Sequence, residues 1–299
     1  MKFVININTK TFLKPVLIVV AGITLFLLGV LYQKVNALGG DTTEISKTDA
    51  NTVDKEKVIP EKGFDLPISW GDLGPKLIEA GVIDEEKFIQ ATNLNSDDQK
   101  ILKEGTDKPI NINADNSQFV VDFLWAIGLA QKSNAYTEGP MGTEYKKDIE
   151  NFSSTAGWTL SKTKATDYLG KYDFFNLSPE QQKRVEEIAK NVFRPCCGNS
   201  TWFPDCNHGM AALAAIEMMV AQNLSDEEIY KNILKLNSFW FSGTYLTTAQ
   251  YFASQGIAWD RVDAKTVLSA EYSSSAGASQ TAKKVAPVQG NGGGSGCGA

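Results

Sequence analysis

The sequence contains one histidine, His208, and this scarcity excludes several classes of enzyme. A zinc hydrolase with paired histidines on one helix, or any other multi-histidine metal centre, cannot be built from it. The chain also has no Gly-rich phosphate loop and no acidic pair with a spacing that marks a glycosidase. Cys-His catalysis would depend on His208, and no oxyanion-hole motif accompanies the cysteines near it. The sequence therefore favours a protein without a turnover reaction.

Basic side chains are also in deficit over most of the chain. The first 34 residues contain four lysines and no acidic residue, so the remainder has 25 basic and 35 acidic side chains, a net charge of −10. Such a surface repels phosphate backbones, and we expect no nucleic-acid partner.

One long uncharged apolar run occurs, from Pro15 to Tyr32. Its length approaches the ~20 residues that cross a bilayer as a helix. Lysines before the run and acidic residues after it indicate a cytoplasmic N-terminus and an exported remainder. Residues 15–34 are therefore predicted to be a transmembrane anchor, or an uncleaved signal, behind a cytoplasmic segment at 1–14. A signal peptide cleaved near Ala37 is the alternative. With the anchor retained, the protein is a single-pass protein of the cell membrane whose bulk is extracytoplasmic.

Two segments of low complexity border the exported part. Residues 35–62 are polar and predict a tether between the membrane and a folded domain. Residues 271–299 are rich in Ser, Ala, Gly and Gln, and they predict a flexible tail that carries Cys297. A thiol exposed outside the cell tends to oxidise, so we expect Cys297 to have a partner.

The segment between them, residues 63–270, predicts an all-α, multi-helix globular domain. The run from Phe119 to Ala130 is apolar throughout and too short to span a membrane, which indicates a core helix. Ser178 and Ser225 are each followed three residues later by Gln or Glu, the pattern of a capping box. Ile110 to Ile112 alternates with polar neighbours and predicts a short extended piece.

Two of these helices flank the most reactive part of the sequence. The helix that begins after Ser178 is predicted to continue to Phe193 and to deliver the chain to the cysteines. The next helix is predicted from Met210 to Gln222, with Asp205 or Asn207 as its N-cap.

The side chains that carry chemistry concentrate between these helices, in the segment from Arg194 to Met210. Cys196, Cys197, Cys206, His208 and Met210 all lie there. Thiolate, imidazole and thioether groups are the ligands that soft transition metals prefer. Because the two predicted helix ends approach each other, we expect these groups to converge on one ion, with Cys297 of the tail as a further sulfur ligand.

Two metals fit this ligand set. Zinc would take four ligands in a tetrahedron, such as three cysteines and one histidine. Copper favours cysteine and histidine with a weak methionine, or a cysteine-rich cuprous centre. The C-x-x-C spacing of zinc domains is absent, and an exported location suits copper handling, so copper is slightly favoured. The predicted role is metal carriage or electron transfer.

Two other interpretations of the cysteines stay open. Cys196 or Cys197 could form a disulfide with Cys206, and the remaining one a disulfide with Cys297. The protein would then be a disulfide-stabilised scaffold whose acidic surface meets another exported protein. In the third interpretation the cysteines exchange disulfides as a redox site.

Further residues have two interpretations each. Glu217 lies in an otherwise apolar helical pattern; a solvent-facing position is favoured over a buried position next to the metal site. Five aromatic residues are candidates for walls of the site, with ordinary packing as the default: Trp202, Phe203, Phe239, Trp240 and Phe241.

Four stretches resemble an uncharacterised family of exported, membrane-anchored prokaryotic proteins. They are Leu66-Pro67-Ile68-Ser69-Trp70-Gly71-Asp72-Leu73-Gly74, the block from Cys196 to Met210, Asn237-Ser238-Phe239-Trp240-Phe241, and the glycine-rich end that carries Cys297. The resemblance transfers no activity. It implies that the terminal Cys297 belongs with the central cysteine block.

Overall fold

Helices make up most of the protein, which is described here by a computed structural model covering residues 53–92 and 94–285. The predicted mostly helical fold is confirmed. The helices are α1 (Lys55–Val58), α2 (Leu73–Ala80), α3 (Glu85–Thr92), α4 (Ser96–Glu104), α5 (Ser117–Ala130), α6 (Ser153–Ala156), α7 (Pro179–Ala189), α8 (Asn207–Ala221), α9 (Asp226–Trp240), α10 (Ser242–Ser254), α11 (Ala264–Val267), α12 (Ala270–Ser273) and α13 (Ser275–Ala282). The strands are β1 (Phe64–Gly71) and β2 (Thr106–Ile112).

The helix starts that the sequence marked most clearly are confirmed. Ser178 and Ser225 each cap a helix through a complete capping box. The serine side chain accepts a hydrogen bond from the backbone amide of the third helical residue, and the side chain of that residue accepts one from the backbone amide of the serine. Two otherwise unpaired backbone donors are satisfied at each start, so α7 and α9 begin at defined residues.

Helices α5 and α8 form the centre of the core. Nearly every residue of both is buried, which confirms the prediction of a core helix over the apolar run of α5. Gly128 allows their close approach, because a Cβ there would lie 3.0 Å from Met210 Cγ of α8 and closer still to its carbonyl oxygen. This close packing sets the position of α8 relative to α5, and therefore the position of Cys206 at the N-terminus of α8.

The exception to the helical fold is an antiparallel pair of strands. Strand β2 contains the extended piece predicted at Ile110 to Ile112. Strand β1 was not predicted, although Leu66, Ile68 and Trp70 alternate with exposed or half-buried neighbours and are buried on one face. The alternation is the period-2 pattern of a half-buried strand.

Both predicted borders of the domain fall inside ordered structure. Helix α1 lies within the predicted tether at 35–62. This part of the tether packs on the domain, because Val58 is fully buried and Lys57 pairs with Asp260 at 2.7 Å. Helices α12 and α13 extend the domain past residue 270 into the predicted tail. Small residues there pack instead of forming a linker: the buried Ser273 hydroxyl donates to the carbonyl of Val267. The rest of the predicted tail, from 286 onward, lies outside the described residues.

The predicted anchor at 15–34 also lies outside the described residues. Within the described ranges, none of the helices combines the length and apolar character needed to cross a bilayer.

Candidate metal centre

The loop that carries the cysteines, residues 190–206, begins earlier than the sequence predicted. A helix that continued to Phe193 would use the Phe193 amide to bond the carbonyl of Ala189. In the structure that carbonyl accepts from Trp202 (3.2 Å), while the Phe193 amide donates to the carbonyl of Leu268 (2.8 Å). Helix α7 therefore ends at Ala189, because its last carbonyls pair with the returning loop.

Helices from the C-terminal half support this loop from behind. The side-chain amide of Asn237 in α9 donates to the carbonyl of Phe193 (3.2 Å) and to the hydroxyl of Tyr245 in α10 (3.0 Å). The amide of Ser275, at the start of α13, donates to the carbonyl of Cys197 (2.9 Å). The backbone of the cysteine loop is thus fixed by three helices besides α7 and α8.

Three cysteine sulfurs meet in this loop. The Sγ atoms of Cys196, Cys197 and Cys206 all lie within 4.8 Å of one another, and those of Cys196 and Cys206 are 3.6 Å apart. None of the three forms a disulfide. Sulfurs around one metal ion with bonds of about 2.3 Å lie about 3.8–4.0 Å apart, so this spacing matches a shared ion. The cluster could hold a metal ion.

Cys206 is both a member of the cluster and the N-cap of α8. Its Sγ accepts the amide of Gly209 at 3.4 Å, in the position that a serine or aspartate oxygen usually takes. The prediction of Asp205 or Asn207 as the cap was therefore wrong, and α8 starts three residues before the predicted Met210. The thiol occupies the cap because the loop turns its sulfur toward the free amides of the first helical turn.

A buried arginine lies directly against this sulfur. Arg194 is fully buried, and its Nε donates to Sγ of Cys206 at 3.3 Å. Its other nitrogens donate to the carbonyls of Asn199 (3.1 Å) and Phe203 (3.2 Å) and to the carboxylate of Asp205 (2.9 Å). The guanidinium therefore has four acceptors in a fixed arrangement, and a buried charge needs such pairing to be tolerated.

Two neighbours lock this arginine in place. The carboxylate of Asp205 also accepts from the side-chain amide of Asn199 at 2.7 Å, so both of its oxygens are engaged. On the opposite side the guanidinium lies on Gly209, where a Cβ would be 2.5 Å from Cζ of Arg194 and 2.8 Å from its Nε. No side chain larger than glycine fits at this position while the arginine stays where it is.

One of the three thiols has a lowered pKa. Hydrogen bonds from Cys196 and Cys197, together with the Arg194 guanidinium, hold the pKa of Cys206 well below its usual range despite burial. Hydrogen bonds to Cys197 and Cys206, and burial, raise the pKa of Cys196. The hydrogen bond with Cys196 lowers the pKa of Cys197, but the Cys206 contact and burial outweigh it and raise that pKa to about 11. Because the pKa values of Cys196 and Cys197 are raised, a metal ion must displace protons to bind these two sulfurs.

The single histidine lies outside this cluster. Among the described residues, the group of ligand atoms within 4.8 Å of one another includes no imidazole nitrogen. The His208 ring packs against Phe241, with ring centroids 4.5 Å apart, and is 1% exposed. Burial lowers the pKa of His208 to about 4, against the opposing effect of the Cys206 sulfur. The predicted ligand is thus a neutral side chain of the aromatic core, although it follows Cys206 by only two residues.

Met210, which was also predicted as a ligand, lies in the core of the protein. Met210 is fully buried and its side chain lies against Gly128, at the crossing of α5 and α8. Cys297 lies outside the described residues, and its predicted contact with the cluster stays a prediction.

The aromatic residues predicted as walls of the site occupy different places. Trp240 and Phe241 pack on His208. Phe239 meets Phe64 of β1 at 5.9 Å, and Phe203 stacks on Tyr145 at 5.0 Å. Ordinary packing, the default interpretation, accounts for these contacts.

Glu217 is fully buried, so its predicted solvent-facing position was wrong. Neither carboxylate oxygen has a well-aligned hydrogen-bond partner in the described part of the chain, and the only side chain that contributes a weak contact is Ser133. Burial raises the pKa of Glu217 to about 8, with Ser133 opposing the shift. Glu217 lies eleven residues along α8 from Cys206, or about 16 Å at 1.5 Å per residue, which is too far to contact a metal on the sulfurs.

Sequence reasoning missed Arg194, Asn199 and Asp205 as parts of the site. The available signal was a single arginine inside a block of cysteines, prolines and glycines, beside an acidic residue that could pair with it. Arginine is more often a surface residue, and only the folded loop shows that its side chain points inward.

Comparisons with known proteins add no assignment to this geometry: no family model, no curated protein and no solved structure matches the chain. The chemical interpretation of the site therefore depends on its three sulfurs and on the arginine behind them.

Proposed function

We propose that this protein is a membrane-anchored, extracytoplasmic binder of a soft transition-metal ion, with cuprous copper favoured over zinc. The observation that carries the proposal is the convergence of three free cysteine sulfurs within 4.8 Å of one another. Thiolates select soft metals, and the spacing suits one ion bonded to all three.

The number of ligands supports copper over zinc. Structural zinc sites are almost always four-coordinate, with cysteine or histidine in every position. Among the residues the structure describes, the cluster offers three sulfurs and no histidine. A cysteine-rich set of three is compatible with cuprous copper, which does not require a fourth ligand.

Exposure of the sulfurs supports carriage of the ion. Cys206 is only 5% exposed, whereas Cys196 and Cys197 are half-buried at the outer side of the loop. A donor or acceptor could therefore exchange the ion through Cys196 and Cys197, while Cys206 holds it from within. The anchor at 15–34 and the export of the chain depend on the sequence and form part of the proposal.

The proposal predicts one bound metal ion per chain, lost when any cluster cysteine is replaced. The full-length protein, purified anaerobically in detergent and loaded with Cu(I), should retain one equivalent after desalting. Cys196→Ser, Cys197→Ser and Cys206→Ser should each lower occupancy at least tenfold, because loss of one thiolate leaves two ligands for the ion. Elemental analysis against protein concentration measures the ratio.

His208→Phe is the matched control for these variants. It removes the only imidazole but fills the same aromatic surroundings, so copper occupancy should stay near wild type. Absence of bound metal in the wild-type protein, or equal loss in His208→Phe and Cys206→Ser, would contradict the proposed ligand set.

The distance between Cys196 and Cys206 supports thiol–disulfide exchange as a second candidate function. Their sulfurs are 3.6 Å apart, so a small movement would allow a disulfide. Exchange with an external disulfide would form the Cys196–Cys206 disulfide, pass two electrons to the external disulfide, release it as two separate thiol groups, and leave Cys197 free. Alkylation of the native protein without reductant, followed by mass spectrometry, separates the candidates: labelled Cys196 and Cys206 favour metal binding, and a linked pair favours exchange or a disulfide-stabilised scaffold.

A further inference from the structure

We propose that Arg194 determines the charge of the ion that the cysteine cluster accepts, and that it selects a singly charged soft ion over a doubly charged one. This inference depends on the proposed metal-binding function and adds a specificity residue to it. Arg194 contacts a ligand sulfur, not the ion, and therefore acts as a positioning residue.

A permanent positive charge lies close to one of the ligand sulfurs. The Nε atom of Arg194 is 3.3 Å from Sγ of Cys206, and the whole side chain is buried. An ion bonded to that sulfur would lie within about 6 Å of the guanidinium, given metal–sulfur bonds of about 2.3 Å. Solvent screens an interaction over this distance only weakly when the guanidinium is buried and the ion is partly buried.

The guanidinium is also held in place, so its charge cannot move away from the sulfur. The guanidinium donates to Cys206, Asn199, Phe203 and Asp205, and its face rests on Gly209. Swinging the side chain outward would break four hydrogen bonds and remove the arginine donor from the buried Cys206 sulfur, which is unfavourable. The guanidinium therefore stays beside Cys206 when an ion binds, and its positive charge repels that ion.

Asp205 offsets this charge only in part. Its carboxylate lies 2.9 Å from Nη2, and its side chain is 20% exposed, so solvent weakens its effect while the guanidinium is buried. Asn199 shares the same carboxylate. The Arg194–Asp205 pair therefore leaves a net positive potential at Cys206, and this potential repels a divalent ion twice as strongly as a monovalent one.

The test compares affinities for Cu(I) and Zn(II), measured by anaerobic competition with chelating indicators on the full-length protein in detergent. Arg194→Gln should raise the affinity for Zn(II) relative to Cu(I) by on the order of tenfold. Arg194→Lys keeps the charge and should leave that ratio near wild type. Because both ions use the same sulfurs, changes in sulfur basicity largely cancel in the ratio.

A second variant keeps the test decisive if Arg194→Gln does not fold. Asp205→Asn removes the offsetting charge, retains an oxygen that accepts from Arg194, and should shift the ratio the opposite way, toward Cu(I). A ratio unchanged in Arg194→Gln and Asp205→Asn would overturn the inference while leaving metal binding intact. Absence of metal in the wild type would instead overturn the proposed function.

Discussion

Replacing Glu217 with glutamine should stabilise the protein at alkaline pH and have little effect at acid pH. Burial raises the pKa of Glu217 from 4.5 to about 8, so the folded protein holds a proton that the unfolded chain releases above pH 4.5. The carboxyl group therefore lowers the free energy of unfolding progressively between about pH 4.5 and pH 8. Since each pKa unit is worth about 1.4 kcal/mol, the whole effect is on the order of 5 kcal/mol.

The measurement is chemical denaturation of the full-length protein in detergent under reductant, followed by tryptophan fluorescence from pH 5 to pH 9. The stability difference between Glu217→Gln and wild type should grow by roughly 3–5 kcal/mol over this range. Burial also raises the pKa of Asp122 to about 7, so the variant keeps some pH dependence of its own.

Glu227→Gln provides the matched control, because Glu227 is also in a helix but its side chain is 77% exposed. Its substitution should shift the stability curve by a small and constant amount. A difference between Glu217→Gln and wild type that does not change with pH would show that the carboxyl group is ionised or solvated in the folded protein.

Replacing Gly209 with alanine should destabilise the protein by about 3 kcal/mol or more. Helix propensity alone predicts the reverse, since alanine is favoured over glycine in a helix by about 1 kcal/mol. The clash prevails because the added methyl group would lie 2.5 Å from Cζ of Arg194, whose nitrogens are all engaged. Overpacking costs about 1–3 kcal/mol, and displacing a buried, paired charge costs about 3–5 kcal/mol.

Gly198→Ala in the same loop is the control for this substitution. Gly198 is exposed and a Cβ there meets nothing within 4 Å, so thermal and chemical stability should stay near wild type. Equal stabilities for the two alanine variants would mean that Arg194 does not rest on the helix as described.

Local signals in the sequence predicted much of the fold. The serine caps of α7 and α9 and the apolar run of α5 depend on interactions within one helix, so they can be recognised without tertiary contacts. Strand β1 was missed although its apolar residues alternate, because Pro67 interrupts the run and its partner β2 is distant in the chain. The end of α7 was missed for a similar reason: the residues that take over its hydrogen bonds come from the loop and from Leu268.

The candidate site was predictable in its sulfurs but not in its remaining members. Cys196, Cys197 and Cys206 are close in the sequence, and their sulfurs are also close in the folded protein. Cys206 and His208 are only two residues apart, but on a helix two positions differ by about 200° in direction, so the imidazole faces the aromatic core. The burial of Arg194 depends on four acceptors that only the folded loop provides.

X-ray absorption at the copper edge of the Cu(I)-loaded full-length protein tests the central claim most directly. The sulfur geometry predicts a first shell of sulfur atoms alone, about three of them at about 2.3 Å, with no imidazole scattering. Cys206→Ser should lower the sulfur count or abolish the bound copper. A shell dominated by nitrogen or oxygen, or a clear imidazole signal from His208, would contradict a metal centre built on the three cysteines.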